Sequence, residues 1–504
     1  MPKKPRSARR RNKGRSGTGD SDEDERSYDD DMGTADYLSE THTIEDNVEG
    51  SHAAGSTLAS MDDDLDWDMD DDDDPHLHSR ANDSSDAALA AERKRQQKVQ
   101  SILSSSLDFP QEKRSSKREV LLKQWFKALT QYTTPSSYGI VEQYAPSLIE
   151  ACCQHALMKS SSSPAEQYAA CRVLEALGTL PVLELYEQTS QRLIRTVQST
   201  HRATPVRAAA LRALGMIVFC ATEVDEVVSE FVMDLCETIL LAEGGYRGQN
   251  PTPDGLCAAA FQVWTVLATT LHYFYVSGQD DATTGRGLPL LKKILECLEH
   301  ENTVETALQL KEAAGQAVVY IHDARVMLGS TQVENATDAQ YKLGSWEGTE
   351  YDDVIADTTQ MVYQLAHASG HYMSKKAKKE QRQVFREYLS MLQDNEDPVH
   401  VIQFRGSATL ELTSWKDVIA VEFLRRCLQG GFQHQLMTNP ILQNMLGANG
   451  AALQSTATYS QLEKRQLWSK NSEMAKEKDQ QRNKGRDKRQ NINNHFLTAD
   501  GEDI

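Results

Sequence analysis

Four stretches of this chain open alike and then fill with alanine: SPAEQYAACRVLEALG at 163–178, TPVRAAALRALG at 204–215, TPDGLCAAAFQVWTVLA at 252–268 and NTVETALQLKEAAG at 302–315. Each offers a Ser or Thr able to cap a helix N-terminus. Several add Pro in the first turn, and alanines follow where a neighbouring helix must come close. The units recur at intervals of roughly 35–60 residues, the spacing of paired-helix repeats. One pair of amphipathic helices cannot cover its own apolar side, but a stack of pairs can. The pattern therefore predicts an all-α fold: an armadillo/HEAT-like α-solenoid, with a small mostly helical C-terminal region and a disordered acidic N-terminal tail.

Composition places the boundaries. The formal net charge is -20 over 504 residues, but the charge is segregated. Residues 1–20 are basic, and residues 21–90 are dense in Asp and Glu, with Arg26 and Arg80 as their only bases. A stretch so poor in apolar residues cannot offset the entropy of ordering its chain, so residues 1–90 are expected to be disordered. Order is expected from near 88. A helix over roughly 113–130 follows, with Val120, Leu121, Trp125, Phe126 and Leu129 in one apolar stripe. The repeats occupy 91–370, a C-terminal domain 371–460, and a basic tail 461–504. Loops at 244–253 (GGYRGQNPTP) and 278–287 (GQDDATTGRG) read as solvent-facing insertions, and 331–352 as a long loop. The eight cysteines have no CxxC pairing and read as buried small apolar residues in a reducing compartment. No apolar run follows the basic N-terminus and none approaches membrane-spanning length, so a soluble intracellular protein is expected.

The strongest local charge lies in SKKAKKEQRQVFREYL at 374–389. As a helix it places Lys375, Lys378, Lys379, Arg382 and Arg386 on one arc and Val384, Phe385, Tyr388 and Leu392 on the next. It can therefore dock by one side and present positive charge by the other. That arrangement suits a phosphodiester backbone, which attracts charge without reading sequence; an ordinary solvated helix face has the same pattern. The aspartate tract MDDDLDWDMDDDDD at 61–74 offers an intramolecular competitor that could mask the face. Beyond 393, short alternation at 399–404 and 408–412 predicts a small hairpin or an extended pair, followed by a helix over about 414–428. The tail LEKRQLWSKNSEMAKEKDQQRNKGRDKRQ at 462–490 is strongly basic, with Trp468 as its one candidate for stacking on bases. Trp125, Phe126, Trp264 and Phe385 lie in apolar helical patterns and are expected in the core instead.

Catalytic patterns are missing. There is no GxxxxGK[ST], HExxH or GxSxG; His371 and His434 lack evident ligand partners, and HLH at 76–78 and the aspartate runs form no spaced ligand set. Neither a metal nor a cofactor is expected, nor an enzyme.

HYMSKKAKKEQRQVFREYLSML (371–392), VIQFRG (401–406), the helix through Trp415 and Lys416, FQHQLMTNPILQNMLG (432–447) and LEKRQLWSKNSEMAKEKDQQRNKGRDKR (462–489) resemble, in order, the interferon-related developmental regulator family. The resemblance implies a non-enzymatic regulator with an armadillo-like body, found in nucleus and cytoplasm. One implied role is a ribosome- or RNA-binding factor on translationally inactive ribosomes. The other is a nuclear adaptor for transcriptional co-regulators in differentiation control. Carried onto this chain, the ribosome role points to Lys375, Lys378, Lys379, Arg382 and Arg386, together with Lys464, Arg465, Arg482, Lys484, Arg486, Lys488 and Arg489.

Overall fold

The structure is a computed structural model, and it describes residues 42–44, 84–159, 161–221, 226–249, 251–277, 285–299, 305–333, 350–367, 375–403 and 409–447. The four alanine-rich units become helices α4 (Pro164–Leu177), α6 (Thr204–Cys220), α8 (Asp254–Ala268) and α11 (Glu305–Val333). They stack in sequence order as one row, α4 on α6, α6 on α8, α8 on α11. The row's composition follows from its burial: in α8 every residue from Leu256 to Ala268 is buried, so the helix needs small side chains on several sides rather than one apolar stripe. Gly215 of α6 marks the closest approach, since a Cβ there would lie 2.7 Å from Val263 Cγ1 of α8. Helix α4 starts as its sequence suggests, with Ser163 Oγ accepting the Glu166 N–H at 3.1 Å and Pro164 in the first turn.

A second layer covers one side of the row. Helix α5 (Leu185–Gln198) packs on α6, α7 (Glu226–Leu240) on α8, and α10 (Leu288–Glu299) on α11. The short helix α9 (Tyr273–Ser277) also lies on α11. Helices α12 (Glu350–His367) and α13 (Lys375–Asp394) continue the stack beyond α10 and α11. At the other end lie α1 (Ser84–Leu103), α2 (Ser115–Lys127) and α3 (Tyr138–Glu150). Helices α2 and α3 run on into π-helical turns at Ala128–Tyr132 and Ala151–Leu157. A buried ion pair locks α2 to α4: Arg118 Nε and Nη2 donate to Glu166 at 2.7 and 2.9 Å, and Ser115 Oγ donates to the same carboxylate at 2.8 Å. All eight cysteines are buried free thiols, including adjacent Cys152 and Cys153.

The C-terminal elements depart from the expectation of a separate unit placed after the solenoid. Strands β2 (His400–Gln403) and β3 (Thr409–Leu412) form the expected hairpin, and β1 (His42–Ile44) pairs with β2 in parallel. Helices α14 (Trp415–Leu428), α15 (Phe432–Thr438) and α16 (Pro440–Met445) then turn back along the alanine-rich row. Helix α14 lies on α11, α8 and α4, α15 on the π-turn after α2, and α16 on α6. The row is therefore covered on both sides. The apolar content of SWKDVIAVEFLRRCL, which reads equally well as a domain of its own, serves to seal a face far upstream in the chain.

Other expectations also change. Val120 is 53 % exposed and leaves the stripe, while Leu122 takes the buried place and Trp125 is fully buried. The loop 244–253 is not a free insertion: Tyr246 is buried, Arg207 lies over its ring, and the Arg207 guanidinium bonds Gln249. Arg286, in the second loop, is bound to Asp234 and Glu237 of α7. Helical order begins at Ser84, and the strand at 42–44 falls inside the stretch expected to be disordered. The rest of that acidic stretch before 84, the segment 334–349, and the tail from 448 lie outside the described residues.

Candidate functional site

Helix α13 does what its two-sided pattern requires. Phe385, Tyr388, Met391 and Leu392 are buried; Tyr388 stands edge-on to Phe385 at 5.7 Å between ring centroids and tilts toward Trp415 of α14 at 5.9 Å. Its hydroxyl donates to the Glu312 carbonyl of α11 at 3.5 Å. The neighbouring Arg386 is exposed, and Arg382 is half-buried. Glu387, an acid on the same helix, is turned toward the hairpin, where its carboxylate meets His400 Nε2 at 3.0 Å. That hydrogen bond raises the His400 pKa above its ordinary value, with burial acting against it.

The side chains of Lys375, Lys378 and Lys379 lie outside the described residues, as do Lys464, Arg465, Trp468, Arg482, Lys484, Arg486, Lys488 and Arg489. The structure thus places Arg382 and Arg386 alone from the basic set. It also brings out a second basic surface, overshadowed in the sequence by the charge density of 374–389. On α1, Arg93, Lys94, Arg95 and Lys98 are exposed, with Lys98 Nζ 4.2 Å from the centre of the Tyr132 ring. The signal is in ERKRQQK, whose residues are also simply good helix formers. Of the aromatic residues expected in the core, Trp125, Trp264 and Phe385 are fully buried, and Phe126 is half-buried beneath Arg172.

The polar seam under α15 and α16 has no counterpart in the sequence pattern. Gln435 Nε2 donates to the carbonyls of Leu129 and Thr130 at 2.9 and 3.0 Å, and His434 Nε2 meets the Thr133 carbonyl at 3.1 Å. Asn439 Nδ2 donates to the Thr179 carbonyl at 2.7 Å, while its Oδ1 accepts the Ile441 N–H at 3.0 Å and caps α16. The carbonyls served here belong to the last turn of a helix or to chain just past its end, where backbone acceptors have no intrahelical partner. Gly431 brings the C-terminal strap formed by α14–α16 down onto the π-turn after α2: a Cβ there would sit 2.5 Å from Thr130 Cβ. Burial lowers the His434 pKa, favouring a neutral ring. Among the described residues no group of three or more His, Cys, Asp or Glu is placed to hold a metal ion, and no helix is long and apolar enough to cross a membrane.

The profile of the Interferon-related developmental regulator (IFRD) family matches residues 73–393, more than half of the chain. The chain belongs to that family. As a member of the interferon-related developmental regulators it is a regulatory protein and not an enzyme. The match takes in the whole helical row and α13 and stops short of the hairpin and the strap. Among curated relatives, the chain is 28 % identical to Interferon-related developmental regulator 1 of Rattus norvegicus over 150 residues, 29 % of this chain and 32 % of the relative. It is 26 % identical to Interferon-related developmental regulator 2 of Mus musculus over 328 residues, 63 % of this chain and 66 % of the relative. An uncharacterized protein of Schizosaccharomyces pombe is 25 % identical over 192 residues, 34 % of this chain and 42 % of the relative. The aligned part thus spans about a third of the first of these relatives and under two thirds of each.

Proposed function

We propose that this chain is a regulatory adaptor that works through protein–protein contacts on the outer layer of its helical stack, in the manner of a transcriptional co-regulator. One observation carries the reading. The face of the α4–α6–α8–α11 row that a peptide would otherwise reach is filled by the chain's own α14–α16, whereas the outer elements keep large apolar side chains in water, among them Leu183, Val227, Phe231 and Tyr363. Val227 and Phe231, one turn apart on α7, put adjacent apolar side chains in water, and it is adjacent rather than scattered exposed apolar groups that mark a partner surface.

The ribosome or RNA role is the second reading, because α13 buries Phe385 and Tyr388 while Arg386 faces outward. One experiment separates the two. Cell extracts are cross-linked at low and high salt, run on sucrose gradients, and the cross-linked peptides are identified. Cross-links from α5, α7, α10 or α12 to non-ribosomal proteins, insensitive to salt, support the adaptor. Salt-sensitive migration with ribosomes that is lost when Lys375, Lys378, Lys379, Arg382 and Arg386 are neutralised supports the second reading and refutes the first.

A further inference from the structure

Helix α7 carries the most organised exposed surface in the outer layer. Its inner side is closed by Val232, Met233, Leu235, Cys236, Ile239 and Leu240, all buried against the stack. On its outer side, helical spacing sorts the remaining residues into two ridges. Val227 and Phe231, one turn apart, are 64 % and 49 % exposed. Beside them run Glu226, Glu230 and Asp234, also one turn apart, while Glu237 turns inward, its carboxylate accepting the buried Trp264 Nε1–H at 2.9 Å. The helix EVVSEFVMDLCETIL contains four acids and no Lys or Arg. Leu241, 40 % exposed, ends the face. From Val227 to Leu241 the helix extends about 21 Å at 1.5 Å per residue.

Arg286 bounds the acidic ridge on one side. Its guanidinium is bound to Asp234 and Glu237, and its backbone N–H donates to the Tyr275 carbonyl at 2.9 Å, which places the exposed Tyr275 next to this surface. The cation offsets part of the acid at the C-terminal half of the helix. The same guanidinium reaches the Glu230 backbone carbonyl at 3.4 Å, but it pairs with neither the Glu226 nor the Glu230 carboxylate, and beside Val227 and Phe231 these keep the N-terminal half of the ridge acidic.

A pair of exposed apolar side chains one turn apart, with a line of acids beside it, is the complement of one kind of object. We infer that α7 is the docking site for a short amphipathic helix of a partner protein, one that sets Leu- or Phe-type side chains against Val227 and Phe231 and Lys or Arg against Glu226 and Glu230. This rests on the adaptor reading and gives its partner a chemistry. The apolar contacts supply affinity by burial, and the charges fix orientation and speed association more than they add strength. Helix-in-groove recognition of this sort reads partners by apolar anchors spaced one turn apart.

The test uses the full chain and a fluorescent synthetic helix of leucines and lysines at heptad spacing. A control peptide of equal charge has glutamine in place of leucine. The leucine–lysine helix should bind the full chain, and the glutamine control should bind about tenfold more weakly. Phe231→Ser and Val227→Ser should each weaken the leucine–lysine helix about tenfold with no change in thermal melting, because both side chains are exposed. Glu230→Lys should slow association and flatten its dependence on salt. Equal affinity of the leucine–lysine helix for the parent chain and Phe231→Ser overturns the inference, as does a Phe231-dependent self-association in sedimentation. Either of these results leaves the adaptor reading standing if cross-links to partner proteins map to α5, α10 or α12. An absence of protein cross-links anywhere on the outer layer defeats that reading itself.

Discussion

Asn439→Ala probes the strap at the point where one side chain performs two tasks. Its Nδ2 reaches the Thr179 carbonyl at 2.7 Å and its Oδ1 caps α16 on the Ile441 N–H. Losing an N-cap costs about 1 kcal/mol. Leaving the buried Thr179 carbonyl without its donor costs a further 1–3 kcal/mol or so. The sum, roughly 2–4 kcal/mol, would be read in urea unfolding as a lower midpoint at unchanged slope. Asn439→Asp separates the two tasks. It keeps a capping oxygen but turns the donor into an acceptor facing the Thr179 carbonyl, so it should cost at least as much as alanine despite being a good cap. Hydrogen exchange should quicken in the segment 176–180 for both variants. A loss below about 0.5 kcal/mol for alanine, the range of an ordinary surface substitution, would mean that neither bond of Asn439 holds the strap to the row.

Three further outcomes follow from other parts of the core. Glu166→Ala should destabilise the chain by about 3–5 kcal/mol in the same assay, because it strands the buried Arg118 guanidinium without its carboxylate. Asp323 is pushed up to about 6 by burial, with Asp397 adding in the same direction. The folded chain then holds a proton that the unfolded chain has already released, so stability falls as pH rises from about 4 to about 6 and is level above. Asp323→Asn should abolish that fall and raise stability at pH 7–8 by up to about 3 kcal/mol, at about 1.4 kcal/mol for each tenfold difference in proton affinity between the folded and unfolded chain. The thiols should be inert in the native chain: burial pushes Cys153, Cys220 and Cys297 up to about 12. A disulfide-exchange reagent should find no fast thiol before unfolding and all eight after it.

What was legible in the sequence was what depends on local pattern. The alanine-rich units mark α4, α6, α8 and α11 closely, because a helix that must be approached from several sides has few acceptable residues. Of their expected caps Ser163 serves α4, whereas the N-cap of α6 is Ala203, with Thr204 already inside the helix, and that of α8 is Pro253, with no side-chain cap. The hairpin at 400–412 and the helix after it were readable from alternation and then helical spacing. The turn-back of α14–α16 was not, since nothing in WKDVIAVEFLRRCL says whether its apolar side meets its own neighbours or a face far upstream. Gln435 and Asn439 gave no warning either: an amide in an exposed helix and an amide bridging distant carbonyls are written with the same letters. For the candidate site, the docking side of α13 was legible through Phe385 and Tyr388. The α7 surface was not, because its exposed Val227 and Phe231 sit in a helix whose other apolar residues are core, and exposure cannot be read from residue type.

Helices α14–α16 seal the row by packing rather than by tether. A protease site placed within 404–408 allows the chain to be cut in the hairpin after folding, and size-exclusion chromatography in native buffer then asks where residues 409–504 travel. Retention with the rest of the chain, with release only in denaturant, is the predicted result. Separation of the fragment on dilution, with the remaining chain still helical, would contradict it.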